Sequence, residues 1–222
     1  MKKQNLKDLF AFVDREDVQK RAGSWTNSPI ILPYEIKPKD FLKFAEEDLE
    51  KDNLRASVNA LSNIKRAIDC QVESLLYVFG FYKKAKKNDW NFLKKMEILL
   101  KVGVVAPNIL KKINTKRNKL EHDFKKPKRT EIEDFRDVAL LFLSNTDCFI
   151  NRSDWNLEWY TMNKSVPLEK PHLDVKLDSK NGLFLLDLYK FSNLPKKIKI
   201  SIDDEEEYMR VLKHWAKAIM EH

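Results

Sequence analysis

Glycine is scarce in this chain, with four residues in 222. A fold built from many tight turns needs more, so most of the length is expected to be helical. The same scarcity excludes the glycine-rich loops that cradle phosphates in Walker and dinucleotide-binding sites. Cysteine is rarer still. Cys70 and Cys148 lie in apolar helical patterns without a metal-type partner. They read as small buried residues of a reducing compartment, not as a disulfide framework. Four histidines occur, and His172, His214 and His222 show no metal-ligand spacing, so no metal or other cofactor is expected. No apolar run approaches the length of a membrane span, and Met1-Lys2-Lys3-Gln4-Asn5-Leu6 carries no apolar signal core. The expectation is a cytoplasmic protein without membrane contact.

What is present is charge and helical periodicity. Hydrophobic residues make up 43% and charged residues 34%, enough for a globular core under a solvated surface. Lys and Arg outnumber Asp and Glu by 42 to 34, a net charge of +8. That excess suits an anionic partner such as RNA, although a lysine-rich solvated surface produces the same count.

Three segments follow from the patterning. Residues 1–38 read as an N-terminal arm, with one amphipathic helix through Leu6, Leu9, Phe10 and Val13 and breaks at Gly23-Ser24, Ser28-Pro29 and Leu32-Pro33. Residues 39–150 read as a helical bundle. Its first helix, Lys39 to Asp52, buries Phe41, Leu42, Phe44, Ala45 and Leu49. The second, Leu54 to Tyr82, repeats apolar residues from Val58 to Phe79 every three or four positions and would span ~40 Å. Lys83 to Asn88 is a basic break. Asn88 or Asp89 caps a third helix, Trp90 to Val102, closed by Gly103. Pro107 opens a fourth helix to Phe124, and Thr130 with Glu133 forms a capping box for a fifth, to Ile150. From residue 151 the period changes to alternation. Residues 151–222 read as a small antiparallel sheet, with a hairpin cue at Asn181-Gly182, followed by a C-terminal helix opened by Asp203 and Asp204. The fold class is mainly α with a small α+β extension.

The stretch that carries chemistry is Lys116-Arg117-Asn118-Lys119-Leu120-Glu121-His122-Asp123-Phe124. On a helix, Arg117 falls in the apolar arc of Ile109, Leu110, Ile113, Leu120 and Phe124, where a guanidinium is costly unless paired or at an interface. Asp69 or Glu73 of the second helix, or Glu121 four residues on, can pair with it. His122 lies about 140° away, on the basic face. The pair therefore does not form within one helix, and a second helix is needed to bring the two side chains together. On the bland reading Arg117 is simply ion-paired and His122 solvated near a helix C-terminus.

Leu99-Leu100, Gly103-Val104-Val105-Ala106-Pro107, Leu110-Lys111-Lys112-Ile113 and Arg117 through Phe124, together with Phe44–Leu49, Asn59–Asn63 and Lys65–Asp69, resemble the HEPN superfamily (higher eukaryotes and prokaryotes nucleotide-binding). The resemblance covers about residues 39–150. It implies a four- or five-helix bundle that dimerises along the motif helices, and a metal-independent endoribonuclease of toxin–antitoxin or phage-defence systems. It also implies Arg117 and His122 as catalytic residues with Asn118 as their polar companion. RNA is then the substrate, and an antitoxin or other protein a further partner. His122 would serve as general acid or base and Arg117 would stabilise the phosphorane formed by 2′-OH attack. Lys111, Lys112, Lys116, Lys119, Lys125, Lys126, Lys128 and Arg129 would hold the backbone. Inactive relatives act as RNA- or protein-binding assembly modules, which is the second reading. Some toxin relatives carry a modifiable tyrosine two residues after the histidine; Phe124 stands there, so that control is not expected.

Overall fold

The computed structural model describes residues 2–24, 30–104, 115, 128–151, 155–161 and 170–221. Among these residues there are seven helices and one five-stranded sheet. The chain divides into two compact units. One is helical, Ile31–Tyr77 with Tyr82–Ile150; the other holds the sheet and comprises Met1–Ile30, Val78–Phe81 and Asn151–His222.

The helical unit starts from α2 (Pro38–Leu49) and α3 (Leu54–Val78), whose last residue is counted with the sheet unit. Pro38 opens α2, where its missing N–H costs nothing, and Asp40 accepts the Lys37 N–H at 2.8 Å. Leu42, Ala45 and Leu49 are buried, whereas Phe44 is exposed and lies edge-on to Phe41. Asn53 caps α3 by accepting from the Ala56 N–H at 2.9 Å. The buried stripe of α3 runs through Ala60, Ile64, Ala67, Val72 and Leu75, and Val58 is left exposed.

α4 (Tyr82–Lys87) occupies the stretch expected to be a basic break. Asn88 and Asp89 end it rather than cap the next helix. Asp89 adopts φ +45°, and the Trp90 N–H reaches the Ala85 carbonyl in a Schellman closure. The cap of α5 (Phe92–Val102) is Asn91, which accepts from the Lys94 N–H at 2.9 Å. Gly103 closes α5 at φ +90°, as expected. α6 (Arg129–Ile150) begins one residue before Thr130, so the anticipated capping box does not form; Glu133 pairs with Arg129 at 3.0 Å instead.

One buried polar contact joins α3 to α6. Gln71 Nε2 donates to Thr146 Oγ1 at 2.6 Å, and Thr146 passes its own proton to the Phe142 carbonyl at 2.7 Å. Thr146→Val leaves the Gln71 amide without its acceptor and is expected to cost about 1–3 kcal/mol in urea unfolding. Gln71→Leu combined with Thr146→Val should recover most of that loss, because no orphaned donor remains. A double variant as unstable as the sum of the singles would contradict this.

The sheet unit opens with α1 (Lys2–Val13), the amphipathic helix expected from Leu6, Leu9, Phe10 and Val13. The break expected at Gly23-Ser24 is instead the end of a strand. β1 (Val18–Ser24) is an edge strand, paired antiparallel with β2 (Trp155–Thr161) from Val18 opposite Thr161 to Ser24 opposite Trp155. β3 (His172–Asp178), β4 (Leu183–Tyr189) and β5 (Lys197–Ser201) complete an antiparallel meander in the order β1-β2-β3-β4-β5. Leu157, Trp159, Leu173, Val175, Phe184, Leu186, Leu188 and Ile200 face one side and are buried. α7 (Glu205–Met220) packs against β1, β2 and β5 and buries Tyr208, Val211, Leu212 and Trp215. Its acidic first turn is as expected, but the Asp204 side chain makes no capping bond.

The turn between β3 and β4 falls where the Asn181-Gly182 cue places it, with the return strand starting at Leu183. Asp178 pairs with Leu183, leaving residues 179–182 as a four-residue loop with the Asn181 N–H on the Asp178 carbonyl. The turn lies against Val78–Phe81. Gly182 at φ +59° passes so close to this segment that an added Cβ would lie 3.0 Å from the Gly80 carbonyl. Phe79 and Phe81 are fully buried there, against Trp215 and Tyr208.

Candidate functional site

The motif segment lies between α5 and α6 in the chain. Arg117, Asn118, Glu121 and His122 fall outside the described residues, as do Lys111, Lys112, Lys116, Lys119, Lys125 and Lys126. What surrounds them in the sequence is described. Lys128 is exposed just before α6, and its carbonyl accepts the Ile132 N–H. Arg129 is engaged within its own unit: Nη2 donates to the Leu49 carbonyl at 2.6 Å and Nε to Glu133. It ties the C-terminal end of α2 to the start of α6, leaving less of its guanidinium for a phosphate.

The two carboxylates proposed as partners for Arg117 each have a lysine. Asp69 pairs with Lys65 at 2.6 Å, and Glu73 with Lys95 at 2.5 Å. The second pair is largely out of solvent, and Glu73 Oε2 is buried with no hydrogen-bond partner among the described residues. Tyr34 and Cys70 lie in the same charge environment. Burial pushes the Tyr34 hydroxyl up, with Tyr82 and Glu73 adding to it, and the Cys70 thiol is pushed up to about 11, first by burial. Such a thiol is protonated and unreactive at neutral pH.

Two arrangements in the sheet unit had no signature in the sequence. In the first, the Asp14 carboxylate receives both Arg210 of α7 and His214 Nε2, the latter at 3.1 Å. Arg210 also stacks over Phe10, 4.2 Å from the ring centre, and His214 lies edge-on to Trp159. Burial alone would raise the Asp14 pKa, but hydrogen bonds from Arg210 and His214 hold it below the usual range. His214 is held below its usual value by burial and by Lys20, against the pull of Asp14. The ring is therefore neutral at pH 7, with Nε2 carrying the proton it donates to Asp14.

The sign of this shift gives a pH dependence. The unfolded ring, with a pKa near ~6.5, takes up a proton more readily than the folded one. Stability is full above that value and falls as the pH drops toward the lower folded pKa. Melting temperature should thus decline from pH ~7.5 to ~5.5, and His214→Gln should flatten that slope. Asp14 acts in the same direction but below its unfolded pKa of ~3.9, outside this window. An identical slope in the variant would show that other groups carry it.

In the second arrangement, the outer face of the sheet carries a row of rings, Tyr160, His172 and Tyr189, on adjacent strands. Strand alternation shows which residues share a face, but only the register sets these three side by side. Among the described residues, no group of three or more His, Cys, Asp or Glu comes together to hold a metal ion, and no helix is long and apolar enough to cross a membrane.

Compared with protein-family models, with curated proteins and with solved structures, the chain matches none of them.

Proposed function

We propose that the chain is a HEPN-like, metal-independent endoribonuclease, working in the cytoplasm as a homodimer in a toxin–antitoxin or phage-defence setting. The observation that carries this reading is the Arg117-Asn118 to His122 spacing inside a basic stretch of helical periodicity that lies in the sequence between α5 and α6 of a helical unit. Two copies of that stretch supply the second helix that the 140° separation of Arg117 and His122 demands. His122 then moves the proton of the attacking 2′-OH or of the leaving 5′-oxygen, and Arg117 meets the charge that builds on phosphorus. The lysines on either side of the motif hold the strand.

The test is incubation of purified protein with single-stranded RNA in excess EDTA. Cleavage that persists and leaves 2′,3′-cyclic phosphate ends is the expected result. Cleavage abolished by EDTA, or ends bearing 3′-hydroxyls, would sink the mechanism. Tight RNA or protein binding with no cleavage would mark the chain as a binding and assembly module instead.

A further inference from the structure

The outer face of the sheet offers a site that the ribonuclease reading does not use. His172 and Tyr189 are direct cross-strand partners on β3 and β4. Their rings lie parallel, 11° apart in plane and 4.8 Å between centres. Tyr189 is 43% exposed. Tyr160 extends the row on β2, opposite His172. Glu158, Lys176, Lys197 and Lys199, on the same face, are exposed, in contrast to the buried residues that alternate with them.

Charged groups lie on both sides of the ring pair. On one side, two residues along β3 or ~6.7 Å, stands Asp174. Its neighbours across the strands are Glu158 and Asp187. Asp187 is held by Lys197 at 3.1 Å, whereas Asp174 has no lysine or arginine partner among the described residues. The Tyr189 hydroxyl is near enough to ease that carboxylate's titration. A carboxylate accepts about four hydrogen bonds, so acceptor positions remain. Burial, followed by the Glu158 charge, raises its pKa, as expected of a carboxylate that lacks a cation. Past the opposite ends of the same strands come Lys170, two residues before His172, whose charge also acts on Asp17, and Lys190, directly after Tyr189. His172 itself is fixed: Nδ1 lies 3.0 Å from the Lys170 carbonyl, and because a carbonyl only accepts, Nδ1 carries the proton.

We propose that the Tyr189–His172 ring pair, with Asp174 on one side and Lys170 and Lys190 on the other, binds the guanine base of a guanosine nucleotide. The base stacks on the exposed ring, a contact every base can make. Selectivity comes from Asp174. Guanine alone among the RNA bases presents two adjacent donors, N1–H and the exocyclic amine, on its pairing edge, and a carboxylate accepts both. The sugar leaves the base on the edge opposite those donors, so its phosphate points to the end where Lys170 and Lys190 stand. The nucleotide is either free or part of a single RNA strand; the chemistry is the same. The site lies wholly within the sheet unit and stands without the ribonuclease reading.

The test is calorimetric titration of the full chain with 5′-GMP, 5′-AMP, and 2′-O-methyl oligonucleotides with and without guanine, which no 2′-OH-dependent nuclease can cut. GMP should bind more tightly than AMP. Tyr189→Ala should weaken GMP by about tenfold or more. Asp174→Asn should bring GMP down to the level of AMP, and Lys170→Ala with Lys190→Ala should weaken GMP but not guanosine. Tyr189 is at the surface, so its variant is expected to fold, and unchanged far-ultraviolet circular dichroism checks this; His172→Ala is the second variant. Tighter binding of the guanine-containing oligonucleotide than of GMP assigns the site to an RNA strand, and the reverse to a free nucleotide. No GMP binding at millimolar concentration, equal affinity for GMP and AMP, or binding unmoved by both ring variants overturns the proposal. So does binding of an arginine-rich peptide or an oligosaccharide at this face in place of the nucleotides.

Discussion

Gly80→Ala should destabilise the sheet unit by on the order of 4 kcal/mol, a large share of the 5–15 kcal/mol typical of a domain. Two costs combine. Gly80 sits at φ +79°, where an L side chain is strained by about 1 kcal/mol or more. An added Cβ would also lie 2.5 Å from Tyr208 Oη and 2.7 Å from Gly182 Cα. The second neighbour is backbone and cannot swing away. Movement of the first breaks the bond that Tyr208 Oη donates to the Phe79 carbonyl at 2.9 Å, leaving a buried hydroxyl without its acceptor. Gly103→Ala is the control. Gly103 has φ +90° but nothing within 4 Å of the added Cβ, so it pays the conformational cost alone, about 1 kcal/mol. Urea unfolding of both variants, followed by tryptophan fluorescence, separates strain from collision. Equal losses in the two would show that the close approach of Gly80 to Gly182 carries no energy.

His122→Ala should lower RNA cleavage by about 10²–10⁴-fold, the usual contribution of a general acid or base. Arg117→Ala should lower it by about 10²–10³-fold, comparable with the loss of one transition-state donor. Arg117→Lys should not restore activity, because an ammonium cannot reproduce the planar two-pronged contact with phosphate oxygens. Mixing the two alanine variants distinguishes a site within one chain from a site shared by two copies. If one chain supplies the arginine and the other the histidine, a mixed dimer contains one intact pair and regains part of the activity. A His122→Ala protein that cleaves like wild type removes the proposed chemistry altogether, whatever happens at the sheet face.

Much of the architecture is legible in periodicity. The stripes of α2, α3, α5 and α6, the change to alternation after residue 151, and Gly103 as a helix stop all follow from residues close in sequence. Local signals misplaced the caps. Asn88-Asp89 and Thr130 are good capping residues by type, but Asn91 and the Arg129–Glu133 pair took the positions. Capping propensity ranks residue types, and neighbouring packing decides which one is used. The candidate site is legible to a different degree. The Arg117–His122 spacing is wholly a feature of sequence. The lysine partners of Asp69 and Glu73 are one local and one not: Lys65 is a helix turn away, while Lys95 lies 22 residues on.

By itself, the sequence determined which faces are apolar, and therefore a mainly helical chain ending in a small antiparallel sheet with a C-terminal helix. Tertiary structure alone decided that Val18–Ser24 is a strand, since its weak alternation becomes a strand only by pairing with residues 155–161. It alone carried Phe79 and Phe81 into the sheet unit, joined Asp14 to a histidine 200 positions away, and set His172 against Tyr189. The physical reason is one of range. Side-chain periodicity records how each segment divides between core and water, whereas partners across strands and between distant helices depend on a register that no single segment contains.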